Sequence, residues 1–277
     1  MPETLAEAVD ALAELEGRAV PIAGGTDLLV HWPERLADRS ATYLDLSKCE
    51  EMRAHVWSDD ALVLGGLTTF WDIVRDKRAR AELGLLVDAA RTVGAVQIQS
   101  RGTWAGNIVN ASPAADGVPA LMALDATVEL TSAGGTEQVR LDEFYLGYKQ
   151  MRRRPDQLVT RISVPRWAYS VQRFVKVGSR RAQAITKVGV AVARSGEGWR
   201  VVANSMAPTV RRCPAIERML EDQVPVSGPA GFEEAICSDL SPIGDIRSTE
   251  AYRRGVMARV LFHELSPICG WVGGEPE

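Results

Sequence analysis

Cysteine and histidine are the first shortages in this 277-residue chain. Four cysteines (Cys49, Cys213, Cys237, Cys269) stand far apart with no Cys-x-x-Cys pair, and only three histidines (His31, His55, His263) accompany them. That spacing gives neither a disulfide framework nor a ligand set for zinc or an iron–sulfur cluster, so the cysteines read as ordinary thiols and the histidines as surface or satisfied core groups. An excess of positive charge is missing too. With 32 Lys and Arg against 36 Asp and Glu, the net charge is −4, and no global field gathers nucleic-acid phosphates. No apolar run nears the ~18 residues of a membrane span. The start, Met1 to Glu7, lacks a basic segment followed by an apolar stretch, so no secretory signal is readable and a cytoplasmic protein is expected.

The usual signatures of several chemistries are absent as well. No G-x-G-x-x-G follows a predicted strand, and no G-x-x-x-x-G-K-[ST], H-E-x-x-H or G-x-S-x-G occurs, which removes the common dinucleotide fingerprint, the P-loop and the familiar hydrolase motifs. What is present is a soluble, globular composition, 46% apolar and 25% charged, at a length that suggests two domains.

Thr4-Leu5-Ala6-Glu7 has capping-box spacing, and Leu5, Ala8, Val9, Leu12 and Leu15 follow on one helical face until Gly17. A short strand over Ala19–Ala23 then feeds Gly24-Gly25-Thr26-Asp27, with a helix predicted from Leu28 to Trp32. Strands are predicted at 43–46 and 62–64, helices at 70–75 and 81–93, a Gly134-Gly135 hairpin, and a strand from Leu158 to Val164. Beyond a boundary near Trp167, three antiparallel strands (173–177, 186–193, 199–203) precede helices at about 214–222, 231–240 and 248–265. The arginine clusters Arg152–Arg154, Arg180-Arg181, Arg211-Arg212 and Arg253-Arg254 read as solvated faces.

Two glycine-containing segments carry the chemistry: Ala23-Gly24-Gly25-Thr26-Asp27-Leu28, and Thr103-Trp104-Ala105-Gly106-Asn107 with its continuation to Asp116. Glycine lets backbone N–H groups approach phosphate oxygens, and Thr and Asn add neutral donors, so the pair could line a diphosphate from two sides. With Ile185-Thr186-Lys187-Val188 and Ser241-Pro242-Ile243-Gly244-Asp245-Ile246-Arg247, these segments resemble the FAD-binding medium subunits of molybdenum hydroxylases, the flavoproteins of carbon monoxide and xanthine dehydrogenases. The second loop departs from that family's pattern by placing Trp104 and Ala105 at its middle positions.

The resemblance implies an α+β fold: two FAD-binding subdomains of the vanillyl-alcohol-oxidase type over residues 1–167, then a C-terminal domain over 168–277 with a three-stranded antiparallel sheet and helices. It implies that Ile22 to Leu28 and Thr103, Gly106, Asn107 and Asn110 hold the diphosphate, that Leu64-Gly65 pack near the flavin, and that Asp116 accepts a ribose or ribityl hydroxyl. Leu158 and Val159 would supply apolar contact, and Lys187 would lie near the isoalloxazine. FAD should be non-covalent, since the Gly24-Gly25-Thr26 turn holds no His or Cys for attachment. By the same resemblance, the molybdopterin sits in a large partner subunit and the [2Fe–2S] clusters in a small one, the three forming a heterotrimer or its dimer. This chain would pass electrons to an external acceptor. Two other readings stay open: a self-sufficient flavin oxidoreductase of the same superfamily, and a flavin-free binding or assembly protein.

Overall fold

A computed structural model describes residues 1–16, 18–31 and 42–271. Helix α1 (Leu5–Glu14) opens at Thr4, whose hydroxyl accepts the Glu7 N–H at 3.2 Å. The Glu7 carboxylate accepts the Glu3 N–H, so the expected capping box closes by half. Ala8, Val9 and Leu12 form the buried face of α1 and meet Leu44, Met52, Leu67 and Leu158 in a small core. Strand β1 (Val20–Ile22) runs parallel to β2 (Tyr43–Asp45), and Leu28–His31 makes one 3-10 turn. Gly17 and Trp32, expected to end α1 and to extend the helix from Leu28, lie outside the described residues.

The next layer begins with β3 (His55–Trp57) and β4 (Ala61–Gly65) and continues through six short helices. These are α2 (Phe70–Arg75), α3 (Lys77–Glu82), α4 (Gly84–Thr92), α5 (Val96–Gln99), α6 (Trp104–Asn110) and α7 (Gly117–Ala123). Strands β5 (Thr127–Ser132) and β6 (Gly135–Arg140), the small hairpin β7 (Tyr145–Gly147) and β8 (Gln150–Met151), and β9 (Leu158–Pro165) complete it. Five of the strands form an antiparallel sheet in the order β3-β4-β9-β5-β6. All seven residues of α7 are buried, so it shows no amphipathic stripe.

The C-terminal sheet orders β10 (Val171–Val177), β11 (Val188–Ser195), β12 (Gly198–Asn204) and the two-residue β13 (Arg211–Arg212), which adds a fourth strand to the three expected. Strand periodicity explains its continuous apolar reading, because both faces are covered. Val188, Val190 and Val192 pack with helices α8 (Pro214–Glu221), α9 (Glu233–Asp239) and α10 (Glu250–Cys269). Ala191 and Ala193 point the other way and join the main core with Leu121, Ile108 and Trp104. Small side chains on that face let the sheet approach α7 closely. The main core therefore crosses residue 167.

One polar knot is buried in the contact between the halves. Asp116, which precedes α7 and is 8% exposed, receives Lys176 Nζ at 2.6 Å, Thr186 Oγ1 at 2.5 Å and Asn204 Nδ2 at 3.4 Å. Burial pushes the Asp116 carboxyl above its ordinary range, against the pull of Lys176. Lys176 is itself nearly enclosed and also donates to the Thr92 carbonyl at 2.9 Å. Removing either partner leaves an uncompensated buried group. Asp116→Ala is expected to cost ~3–5 kcal/mol in urea unfolding, with much of the loss recovered when Lys176→Met is added; additive losses would show that the pair is not coupled.

Candidate functional site

A cavity of about 1210 Å³ opens between the layers, larger than the ~300–1,000 Å³ of most small-molecule sites and roomy enough for an extended dinucleotide. Its walls come from the segment after β1, the N-terminal end of α6, the strand β9 and the C-terminal sheet. No histidine, cysteine or glutamate appears among its described lining residues.

The first loop turns on Gly25, whose φ of +74° favours glycine. Its neighbour Gly24 is there for space: a Cβ would fall 1.8 Å from the Arg101 carbonyl oxygen, so the two loops touch backbone to backbone. Arg101 Nε also donates to the Gly24 carbonyl at 3.3 Å. The N–H groups of Gly24, Gly25, Thr26 and Asp27 donate to no other described residue. Half-buried backbone donors left unpaired at a cavity wall suit an anionic ligand.

The second loop is the start of a helix. Thr103 caps α6, its hydroxyl accepting the Gly106 N–H at 3.0 Å, and the Trp104 N–H donates to the Thr68 carbonyl at 3.2 Å. The Trp104 ring is fully buried against Phe70, with ring centroids 4.7 Å apart. The loop tolerates tryptophan because the ring enters the core. Asn107 Oδ1 accepts the Gly117 N–H at 3.2 Å, leaving its Nδ2 donors without a partner among the described residues. Asn110 Nδ2 donates to Asp27 Oδ1 at 2.9 Å and ties the loops together, while Lys149 Nζ donates to Asn110 Oδ1 at 3.0 Å.

Of the residues expected at the site, Ala23 to Leu28, Thr103, Gly106, Asn107, Asn110, Asp116, Leu158 and Val159 line this one cavity. Ile22, Leu64, Gly65 and Lys187 do not. Ile22 ends β1, and its carbonyl accepts the Leu46 N–H. Leu64 is fully buried in the core, and Gly65 passes so close to Met52 that a Cβ would lie 2.2 Å from its carbonyl oxygen; the next residue, Gly66, faces the cavity. Lys187 follows Thr186, whose side chain reaches inward to Asp116, and sits at a bend before β11 where its own side chain turns elsewhere. The Lys187 ammonium accordingly stands 5.5 Å from the centre of the Tyr252 ring. The cavity instead receives Lys176, and both Asp116 oxygens are already hydrogen-bonded. Lys176 shares a strand face with Gln172 and Phe174, a pattern that in sequence reads as a solvated lysine.

Comparison with known proteins agrees with this geometry. Residues 1–167 match the family described as the FAD binding domain in molybdopterin dehydrogenase, and residues 173–267 match the CO dehydrogenase flavoprotein C-terminal domain. The nicotinate dehydrogenase FAD-subunit of Eubacterium barkeri is 35% identical over 195 residues, which cover 68% of this chain and 65% of that relative. A putative xanthine dehydrogenase FAD-binding subunit of Escherichia coli strain K12 is 25% identical over 98% of this chain and 96% of its own length. Among solved structures, quinoline 2-oxidoreductase from Pseudomonas putida 86 superposes with a TM-score of 0.84 at 21% identity, covering 97% of this chain and 95% of that one. Carbon monoxide dehydrogenase from Hydrogenophaga pseudoflava gives 0.81 at 24%, covering 96% and 94%; these two likenesses carry the fold.

The contact between the loops is directly checkable. Gly24→Ala is expected to destabilise the chain by ~1–3 kcal/mol through overpacking against Arg101, whereas Gly134→Ala, in an open hairpin, should change it little. Equal melting temperatures for both variants would show that the loops yield without cost.

Proposed function

The chain belongs to the family of FAD-binding domains of molybdopterin dehydrogenases, and on that premise we propose that it is the electron-transferring flavin subunit of a multisubunit molybdenum hydroxylase. The observation that carries the reading is the row of N–H groups from Gly24 to Asp27, which pair with no other described residue, facing Thr103, Gly106 and Asn107 across one cavity. That arrangement fits a dinucleotide diphosphate held by neutral donors. FAD bound there would accept electrons and release them to an acceptor; the protein's part is to hold, orient and shield the ring.

Leu158 and Val159 give the cavity apolar wall, and Lys176, steadied by Asp116, places a cation on it from the C-terminal sheet. Asp116 acts mainly through that lysine, with a ribose or ribityl hydroxyl as a further donor to its remaining lone pairs. With no His or Cys among the described lining residues, the cofactor is dissociable. Residues 1–167 form the flavin domain and 168–277 the C-terminal domain, a division supported by the two family matches. The relatives are named as FAD subunits or medium chains, which supports partners of two kinds: a large subunit carrying molybdopterin and a small one carrying [2Fe–2S] clusters. In that assembly electrons reach FAD from the clusters and leave to an external acceptor. The residues described include no group of His, Cys, Asp or Glu able to hold a metal and no helix long and apolar enough to cross a membrane. A cytoplasmic setting is part of the proposal.

The experiment is to purify the chain alone and coexpressed with its partner subunits. The isolated chain should hold about one FAD, released intact by acid, and should hydroxylate no substrate; substrate should bleach the flavin only in an assembly that contains molybdenum and iron. A metal-free chain that oxidises substrate at the full rate of the assembly would contradict the subunit role and favour a self-sufficient flavoenzyme.

A further inference from the structure

The described lining of the cavity includes four cations, Arg153, Lys176, Arg247 and Arg253. Three of them face carboxylates: Lys176 meets Asp116 at 2.6 Å, and Arg253 and Arg247 meet Asp245 at 2.8 and 3.3 Å. Arg153 forms no ion pair with any described residue. Its Nη1 donates to the carbonyls of Arg154 and Gln157 at 3.1 and 2.7 Å, and its Nε is buried with no partner. Its neighbours Arg152 and Arg154 are exposed and pair with Glu143, Glu137 and Asp156. The middle arginine of a cluster that reads as a solvated face is therefore turned into the cavity wall. Burial pulls its pKa down, the direction of a guanidinium short of compensating charge.

The hairpin just before Arg153 is fastened to both loops, since Lys149 donates to Asn110 and Asn110 to Asp27. Those loops offer the diphosphate of a dinucleotide only neutral donors, and Asp27 adds a negative charge at their edge. A dianion in a half-buried cradle of neutral donors calls for a cation, and a guanidinium presents a planar fork matched to phosphate oxygens. We infer that Arg153 supplies the positive charge that neutralises the diphosphate of the bound dinucleotide, an inference that rests on the FAD reading above.

The test uses the full chain with Arg153→Met and Arg153→Lys, measuring dissociation constants for FAD and riboflavin by flavin fluorescence, for ADP by competition, and the melting temperature. Arg153→Met should weaken FAD and ADP about tenfold or more and flatten the salt dependence of FAD binding, with riboflavin affinity and melting temperature unchanged. Arg153→Lys should recover part of the loss, because it restores the charge without the planar fork. Wild-type affinity of Arg153→Met for FAD and ADP, or an equal loss for riboflavin, would overturn the inference while leaving the FAD site standing. A wild-type chain that takes up no FAD would remove both.

Discussion

A buried carboxylate has to be surrounded by donors, and in this chain that requirement joins the two halves. Asp116 comes from the first half, while Lys176 and Asn204 come from the C-terminal sheet and Thr186 from the segment leading into β11. The valine and alanine faces of β11 dock that sheet by apolar burial, which has no direction; the Asp116 contacts give the docking a register. Asp116, Lys176 and Thr186 also form part of one wall of the cavity. The site is thus complete only when the C-terminal sheet is seated, and the binding of a ligand there is linked to the stability of the contact.

The opposite wall depends on how closely two backbones approach. At Gly24 and Arg101 they touch with no room for a Cβ, and Gly25 supplies the left-handed turn that leaves consecutive N–H groups unpaired. The bulky Trp104 is compatible with this because Thr103 caps α6 and turns the ring into the core. Donor atoms therefore face the cavity while side-chain volume faces away from it. The charge comes from elsewhere, from Lys176 on the sheet and Arg153 beside the hairpin.

Local chemistry was readable where it was punctuated. The Thr4 cap, the Gly134-Gly135 hairpin and the start of α8 at Pro214 all stand where turn and cap residues put them. Helix α6 read as a loop, because its small and polar residues hide the helical period. The two glycine segments were legible as a pair, and they do line one cavity, since close backbone approach at glycine is a local property. Lys176 was not, and neither was Arg153. A lysine in an alternating strand and an arginine within a basic triplet look solvated in sequence, and only the packing of the second half against the first turns them inward. Lys187 was favoured by its motif, yet its side chain lies beside Tyr252 and does not line the cavity.

The most direct measurement is amide hydrogen exchange of the isolated chain with and without FAD. The N–H groups of Gly24 to Asp27, which pair with no other described residue, should exchange fast in the free chain and slow down on FAD binding together with Thr103 to Asn107. The exposed Gly134-Gly135 hairpin should not respond. Unchanged exchange in both loops with FAD bound would contradict the cradle and place the cofactor elsewhere.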